Sequence, residues 1–152
     1  MSVHRNMSLV LACVSILCVC LTLNACKDGA EIANQGRVII TDTQYNIRQT
    51  HENSYVLDVS GTVKNVGEVD LKKVIVTGYC RSCILEFTSQ HWFTSDCDKT
   101  ENQKDIISYL AVGAEETFSF EEVAFYFTHV NAPPEDRPES IDVVVESFEV
   151  VK

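Results

Sequence analysis

A hydrophobic pattern with a period of two residues dominates the chain from residue 37 onward. Residues 55–64, which read YVLDVSGTVK, place apolar residues or glycine at every odd position and polar residues at most even positions. Because side chains alternate between the two faces of a strand, this run predicts a β-strand with one face toward a core. No segment shows sustained helical periodicity, and further alternating runs follow at 74–78, 106–110, 117–120 and 141–151. The pattern predicts an all-β fold, an antiparallel sandwich of about seven strands.

Three breaks in this pattern predict where the strands bend or end. The alternation changes phase near Ser147, which predicts a β-bulge in the last strand. Residues 111–114 (AVGA) predict a turn, and all three prolines fall in residues 131–140 (NAPPEDRPES), which therefore predict a loop. The turn at 111–114 and the loop at 131–140 are therefore expected to connect strands.

The first 25 residues have a different character from the rest of the chain. They contain one charged residue, Arg5, and no aromatic residue, and residues 7–23 form an uncharged run of 17 residues. A basic start, an apolar middle and small residues at the end are typical of a secretory signal peptide. The alternative is an uncleaved signal anchor, although the run is shorter than the roughly 20 residues that cross a bilayer comfortably. Either interpretation places the following residues outside the inner membrane.

The end of this leader resembles the lipobox of bacterial lipoproteins. Residues 23–26 read Leu-Asn-Ala-Cys, and Lys27 follows. The resemblance implies cleavage before Cys26, diacylglycerol on that cysteine, and export to the outer membrane facing the periplasm or to the cell surface. It divides the chain into a signal peptide (1–25), a lipidated tether (26–36) and a β-sandwich domain (37–152). The membrane is thus the first predicted partner, through the lipid.

Three segments of the predicted domain are similar to the FxLYD-type family of immunoglobulin-like domains from bacterial envelope proteins. They are residues 61–67 (GTVKNVG), 71–76 (LKKVIV) and 109–118 (YLAVGAEETF). Val112 replaces the proline usual in that family, and VTGYC at 76–80 stands where the aromatic-Leu-Tyr-Asp motif is expected. The resemblance implies an immunoglobulin-like sandwich. Its matching residues belong to cores and turns, so it implies no specific activity.

The cysteines of the predicted domain are odd in number. Besides Cys26 there are Cys80, Cys83 and Cys97, so one disulfide leaves one thiol. Cys80 continues the even-numbered face of the strand at 74–78 and is expected to point inward as an inert thiol. We therefore predict a Cys83–Cys97 disulfide, with Cys80 as the alternative partner for Cys97.

Two other interpretations of this cluster remain open. The order Cys80, Cys83, His91, Cys97 resembles a zinc knuckle and supplies four zinc-type ligands. The Cys80–Cys83 spacing alone could support thiol–disulfide exchange, although no helix is predicted after it. The adjacent residues His91, Trp92 and Phe93 could form a ligand-binding aromatic surface, or an aromatic cluster packed beneath the insertion.

These observations lead to two functional hypotheses. The net charge of −10 makes nucleic acid a poor partner, because an acidic domain repels phosphates. No nucleophile elbow, phosphate loop or H-E-x-x-H motif indicates an enzyme or a cofactor. The first hypothesis is a lipid-anchored, non-catalytic module that binds another envelope protein or polymer or has a structural role. The alternative is a metal- or thiol-dependent envelope factor that uses the Cys80, Cys83, His91 and Cys97 cluster.

Overall fold

The computed structural model describes residues 35–94, 98–130 and 132–152. The predicted signal peptide, the lipobox with Cys26, most of the predicted tether and the third domain cysteine, Cys97, lie outside these residues. The described part contains seven strands and one short 3₁₀ helix, Glu101–Gln103. The strands are β1 (Val38–His51), β2 (Ser54–Asn65), β3 (Leu71–Cys80), β4 (Trp92–Phe93), β5 (Lys104–Leu110), β6 (Glu115–Phe127) and β7 (Ile141–Val150).

The seven strands form two sheets in which every neighbouring pair is antiparallel. One sheet has the order β1-β2-β6-β4, and the other has the order β5-β3-β7. The division into four and three strands equals that of a constant-type immunoglobulin sandwich, but here the fifth strand lies in the three-stranded sheet and the sixth in the four-stranded sheet, the reverse of that fold. The predicted all-β, antiparallel sandwich of about seven strands is confirmed.

The core lies between the two sheets and receives side chains from both. Three odd-numbered residues of β2, Leu57, Val59 and Val63, are at most 1% exposed, as the alternation predicts. Large fully buried side chains also come from β3, β5 and β6, namely Leu71, Val74, Val76, Leu110 and Phe120. Burial of apolar side chains from both layers therefore holds the sheets together.

The predicted irregularity near Ser147 is confirmed. The register between β3 and β7 shifts on both sides of the Ile75–Ser147 pair. Lys73, in the bulged part of β3, has a φ of 49°, in the left-handed region that few non-glycine residues adopt. The turn at 111–114 is also present, with Gly113 at a φ of 75° and the Ala114 amide donating to the Ala111 carbonyl at 3.1 Å.

The strand directions give the sandwich two distinct ends. At the tether end, where residues 35–37 enter β1, Val38 lies opposite Asn65, and Leu71 lies opposite both Leu110 and Val150. We define the far end as the hairpin at 51–54, the insertion between β3 and β5, and the loop between β6 and β7. There Ser54 lies opposite Phe127, and Cys80 lies opposite Ile141. The motifs with candidate chemistry belong to the far end.

Candidate functional site

The disulfide of the far end differs from the predicted one. Cys80 is bonded to Cys83, with the two Cα atoms 5.4 Å apart, so the predicted Cys83–Cys97 bond is not formed. The reason is the turn after β3, which brings Cys83 back onto Cys80 within disulfide range. Backbone contacts hold this turn, since the Arg81 amide donates to the Ser140 carbonyl at 2.8 Å. Cys80 does point inward, at 8% exposed, but as a bonded sulfur rather than an inert thiol.

This bond bears directly on the zinc hypothesis. While the two sulfurs are bonded to each other, Cys80 and Cys83 supply no thiolate to a metal. The His91 side chain is exposed, and its Nδ1 lies 3.1 Å from the Ser89 carbonyl oxygen. Within the described residues, no group of three or more His, Cys, Asp and Glu side chains could hold a metal ion. Metal binding by the predicted set therefore requires reduction of the bond and a contribution from Cys97, which lies outside the described residues.

The predicted surface of His91, Trp92 and Phe93 is divided between two faces of the sheet. Trp92 and Phe93 form β4 and pair with β6, where Trp92 lies opposite Tyr126 and Phe93 lies opposite Phe125. Adjacent residues of a strand point to opposite faces. Trp92 packs inward against a small cluster of Leu57, Cys80 and Ala124, whereas Phe93 faces outward. These residues therefore contribute to two separate features.

The outward feature is the outer aromatic surface, which we define as Leu85, Phe87, Phe93, Phe125 and Phe127. The Phe87 ring lies 5.2 Å from the Phe93 ring and 5.6 Å from the Phe127 ring, and the Phe93 and Phe125 rings stack at 5.8 Å. Leu85, Phe87, Phe93 and Phe125 line a shallow cavity of about 300 Å³. The cluster thus covers the outer face of the four-stranded sheet at the far end.

The burial of this surface differs from the sequence-based interpretation. Leu85 and Phe87 are 63% and 65% exposed, although both are large apolar residues. Val56 was expected on a polar face, but it is 3% exposed because it lies opposite Phe125 under the aromatic rings. Hydrophobicity alone does not reveal which of these apolar residues the insertion covers. In the outer aromatic surface, the Leu85 and Phe87 side chains are therefore open to solvent, while the other aromatic rings are half-buried.

The inward feature is a groove beside Trp92, which we call the Trp92 groove. Its volume is about 460 Å³, and its lining includes Ile84, His91, Trp92, Tyr126 and residues 134–139. The Trp92 and Tyr126 ring centres are 5.3 Å apart, and the Trp92 Nε1 donates to the Asp136 carbonyl at 2.8 Å. The proline-containing segment was predicted as a loop, but its contribution to this groove was not.

The last part of the insertion is anchored to the other sheet through Tyr79. Two cations lie near the Tyr79 ring, the Arg81 guanidinium at 5.2 Å and the Lys99 ammonium at 4.9 Å from its centre. Partial burial lowers the pKa of Lys99, while the nearby Glu146 carboxylate acts in the opposite direction. Cation–π contacts of this kind hold the insertion in place on both sides of the disulfide turn.

No family model, curated protein or solved structure matches the chain. Among the described residues there is no helix long and apolar enough to cross a membrane. Function is therefore inferred from the chemistry of the far end.

Proposed function

We propose that this protein is a lipid-anchored, non-catalytic binding module of the bacterial cell envelope. The lipobox resemblance at residues 23–26 supports a lipid on Cys26, and the resemblance to FxLYD-type envelope domains agrees with this location. Because the chain enters β1 at the tether end, an anchor there leaves the far end to face outward from the membrane. The partner we propose is another envelope protein.

The observation that carries this proposal is the exposure of Leu85 and Phe87 above a ring of aromatic side chains. Both are about two-thirds exposed, and they belong to an apolar cluster whose other aromatic residues, Phe93, Phe125 and Phe127, are half-buried. Contiguous apolar patches with aromatic residues at their centre are typical of protein–protein interfaces. A surface of this kind supports binding without any catalytic group.

The test is a crosslinking pull-down from intact envelopes with a Leu85→Ser/Phe87→Ser double variant. We expect recovery of the crosslinked partner to fall at least tenfold, because these side chains would fill the centre of the interface. The matched control is Val112→Ser, which removes an apolar side chain that is 49% exposed at the tether end. Equal recovery with wild type and the double variant would contradict the proposal.

The anchor is tested separately with Cys26→Ser. This variant should lose lipidation and should not mature by the lipoprotein route. A variant that still reached the wild-type mass and stayed in the membrane fraction would show that the lipobox interpretation is wrong.

One observation favours a second candidate, a thiol-dependent envelope factor. The Cys80–Cys83 bond joins residues with Cys-x-x-Cys spacing, and a partner dithiol could reduce it to two thiols while the partner becomes a disulfide. Against it, Cys83 is followed by bends and β4, not by the helix that usually lowers the pKa of such a thiol. A reduction potential above about −230 mV would support this candidate, and one below about −300 mV would indicate a structural bond.

A further inference from the structure

We propose that the Trp92 groove binds a basic segment of an extended polypeptide and places a lysine or arginine side chain against Trp92 and Tyr126. The inference goes beyond the proposed function, because the groove and the outer aromatic surface lie on opposite faces of β4. Three properties of the groove support this ligand: its aromatic wall, its charge and its size.

Trp92 and Tyr126 form the aromatic part of the groove lining. The Trp92 indole N–H is already used by the Asp136 carbonyl at 2.8 Å, so its orientation is fixed and its polar group is satisfied. The Tyr126 ring lies beside the Trp92 ring, with an angle of 54° between the two ring planes. Aromatic faces attract cations through the ring quadrupole, and the same loop shows this chemistry, since the Arg137 guanidinium lies 4.3 Å from the centre of the Tyr45 ring.

The charge of the groove lining is predominantly negative. Glu135, Asp136 and Glu139 line the groove, and Arg137 is the cation among the lining residues. Among the described residues, none of these three carboxylates forms an ion pair, whereas Glu115 and Glu149 at the tether end are paired with lysines. Unpaired carboxylates beside aromatic faces complement a cationic side chain and repel a phosphate or an acidic polymer.

The size of the groove favours a polypeptide over a small cation. Its volume of about 460 Å³ lies within the range of about 300–1,000 Å³ that is typical of ligand sites. One cationic side chain would occupy the space between Trp92 and the carboxylates. Neighbouring residues of an extended segment would then contact Ile84 and Pro134 along the same groove.

The experiment uses the full chain purified in detergent and a blocked peptide of sequence Ala-Lys-Ala-Arg-Ala as the probe. Trp92 is the single tryptophan of the sequence, so its fluorescence reports on the groove directly. We expect a saturable change in Trp92 emission that coincides with the heat measured by calorimetry. A peptide with glutamate in place of both basic residues should produce neither signal.

Two variants show whether binding depends on the groove or on net charge. Glu135→Gln/Glu139→Gln should weaken binding of the basic peptide at least tenfold, whereas Glu115→Gln/Glu116→Gln removes the same charge from the tether end and should change it less than twofold. The Leu85→Ser/Phe87→Ser variant should still bind the peptide, which separates this inference from the proposed function. Absence of saturable binding, heat without a change in Trp92 emission, or equal weakening by the two charge variants would overturn the inference.

Discussion

The two ends of the sandwich differ in how they use their side chains. At the tether end, Val63, Leu71 and Leu110 are at most 1% exposed. At the far end, the buried cluster is small, with Leu57, Cys80 and Ala124 at its centre, and Leu85 and Phe87 are more exposed than any large apolar residue of the tether end. The difference indicates that the larger buried cluster lies toward the tether end, while the far end presents apolar surface that is only partly covered within the domain.

Asn65 shows how the tether end is held together. Its side chain is fully buried and donates to the carbonyls of Val69 at 2.9 Å and Leu110 at 3.1 Å. Its Oδ1 accepts from the Gly67 amide at 3.0 Å, so every polar atom of the side chain has a partner. One amide group therefore links β2, the turn that follows it and the end of β5.

The largest predicted effect comes from breaking this network. Asn65→Ala leaves the buried Leu110 carbonyl, the part-buried Val69 carbonyl and the Gly67 amide without this partner. It should lower the free energy of unfolding by about 3 kcal/mol. Chemical denaturation of the purified protein measures this loss. Asn46→Ala, on the exposed side of β1, should change stability by about 0.5 kcal/mol or less. Similar losses for both variants would contradict the central role of the tether end.

A smaller effect is predicted for reduction of the Cys80–Cys83 bond at the far end. A disulfide that closes so short a loop should contribute about 2 kcal/mol, compared with about 3 kcal/mol for the longer loop of a Cys83–Cys97 bond. Denaturation with and without reductant measures the contribution. Non-reducing peptide mapping should recover the Cys80–Cys83 bond from both wild type and Cys97→Ser. A bond to Cys97 in the wild type would show that the pairing described above is wrong.

The smallest predicted effect concerns the pH dependence of an exposed pair at the tether end. The Tyr109 hydroxyl donates to the Asp70 carboxylate, which, with a further hydrogen bond from the Val112 amide, lowers the pKa of Asp70. The same contact raises the pKa of Tyr109. The contribution of Asp70 to the free energy of unfolding is therefore complete above its ordinary pKa of 3.8. It is lost as the pH falls through the lowered pKa. The contribution of Tyr109 to the free energy of unfolding is complete below its ordinary pKa of 10.0. It is lost as the pH rises through the raised pKa.

Tyr109→Phe tests this pair with little disturbance, because it removes only the hydroxyl. The pKa of Asp70, followed by nuclear magnetic resonance of its carboxyl carbon, should move upward toward 3.8. Val112→Ser keeps the backbone amide and should leave this pKa unchanged. An unchanged Asp70 pKa in Tyr109→Phe would show that the hydroxyl contributes nothing.

The fold was predictable because it follows from local alternation and turn chemistry. The run at 55–64 indicated the buried face of β2, and the change of phase near Ser147 indicated the bulge. Both signals depend on neighbours in sequence, which is why a single chain is sufficient to recognise them.

The candidate sites depend on contacts that are distant in sequence and were therefore only partly predictable. Trp92 and Asp136 are 44 positions apart, so no local pattern indicates that the proline-containing loop lines the Trp92 groove. The disulfide was missed because the turn after β3 depends on backbone contacts with Ser140. β4 has two residues, too few to show alternation, so the division of Trp92 and Phe93 between two faces was not visible either.

The most direct test of the difference between the two ends is photo-crosslinking in intact cells. A photoreactive residue is placed at Phe87 in one variant and at Val112 in another, since these apolar positions are exposed at the far end and the tether end. If a partner binds at the far end, we expect a discrete protein adduct from position 87 that disappears when Leu85→Ser is added. We expect no such adduct from position 112. The same adduct from both positions, or an adduct from position 112 alone, would contradict this account of the molecule.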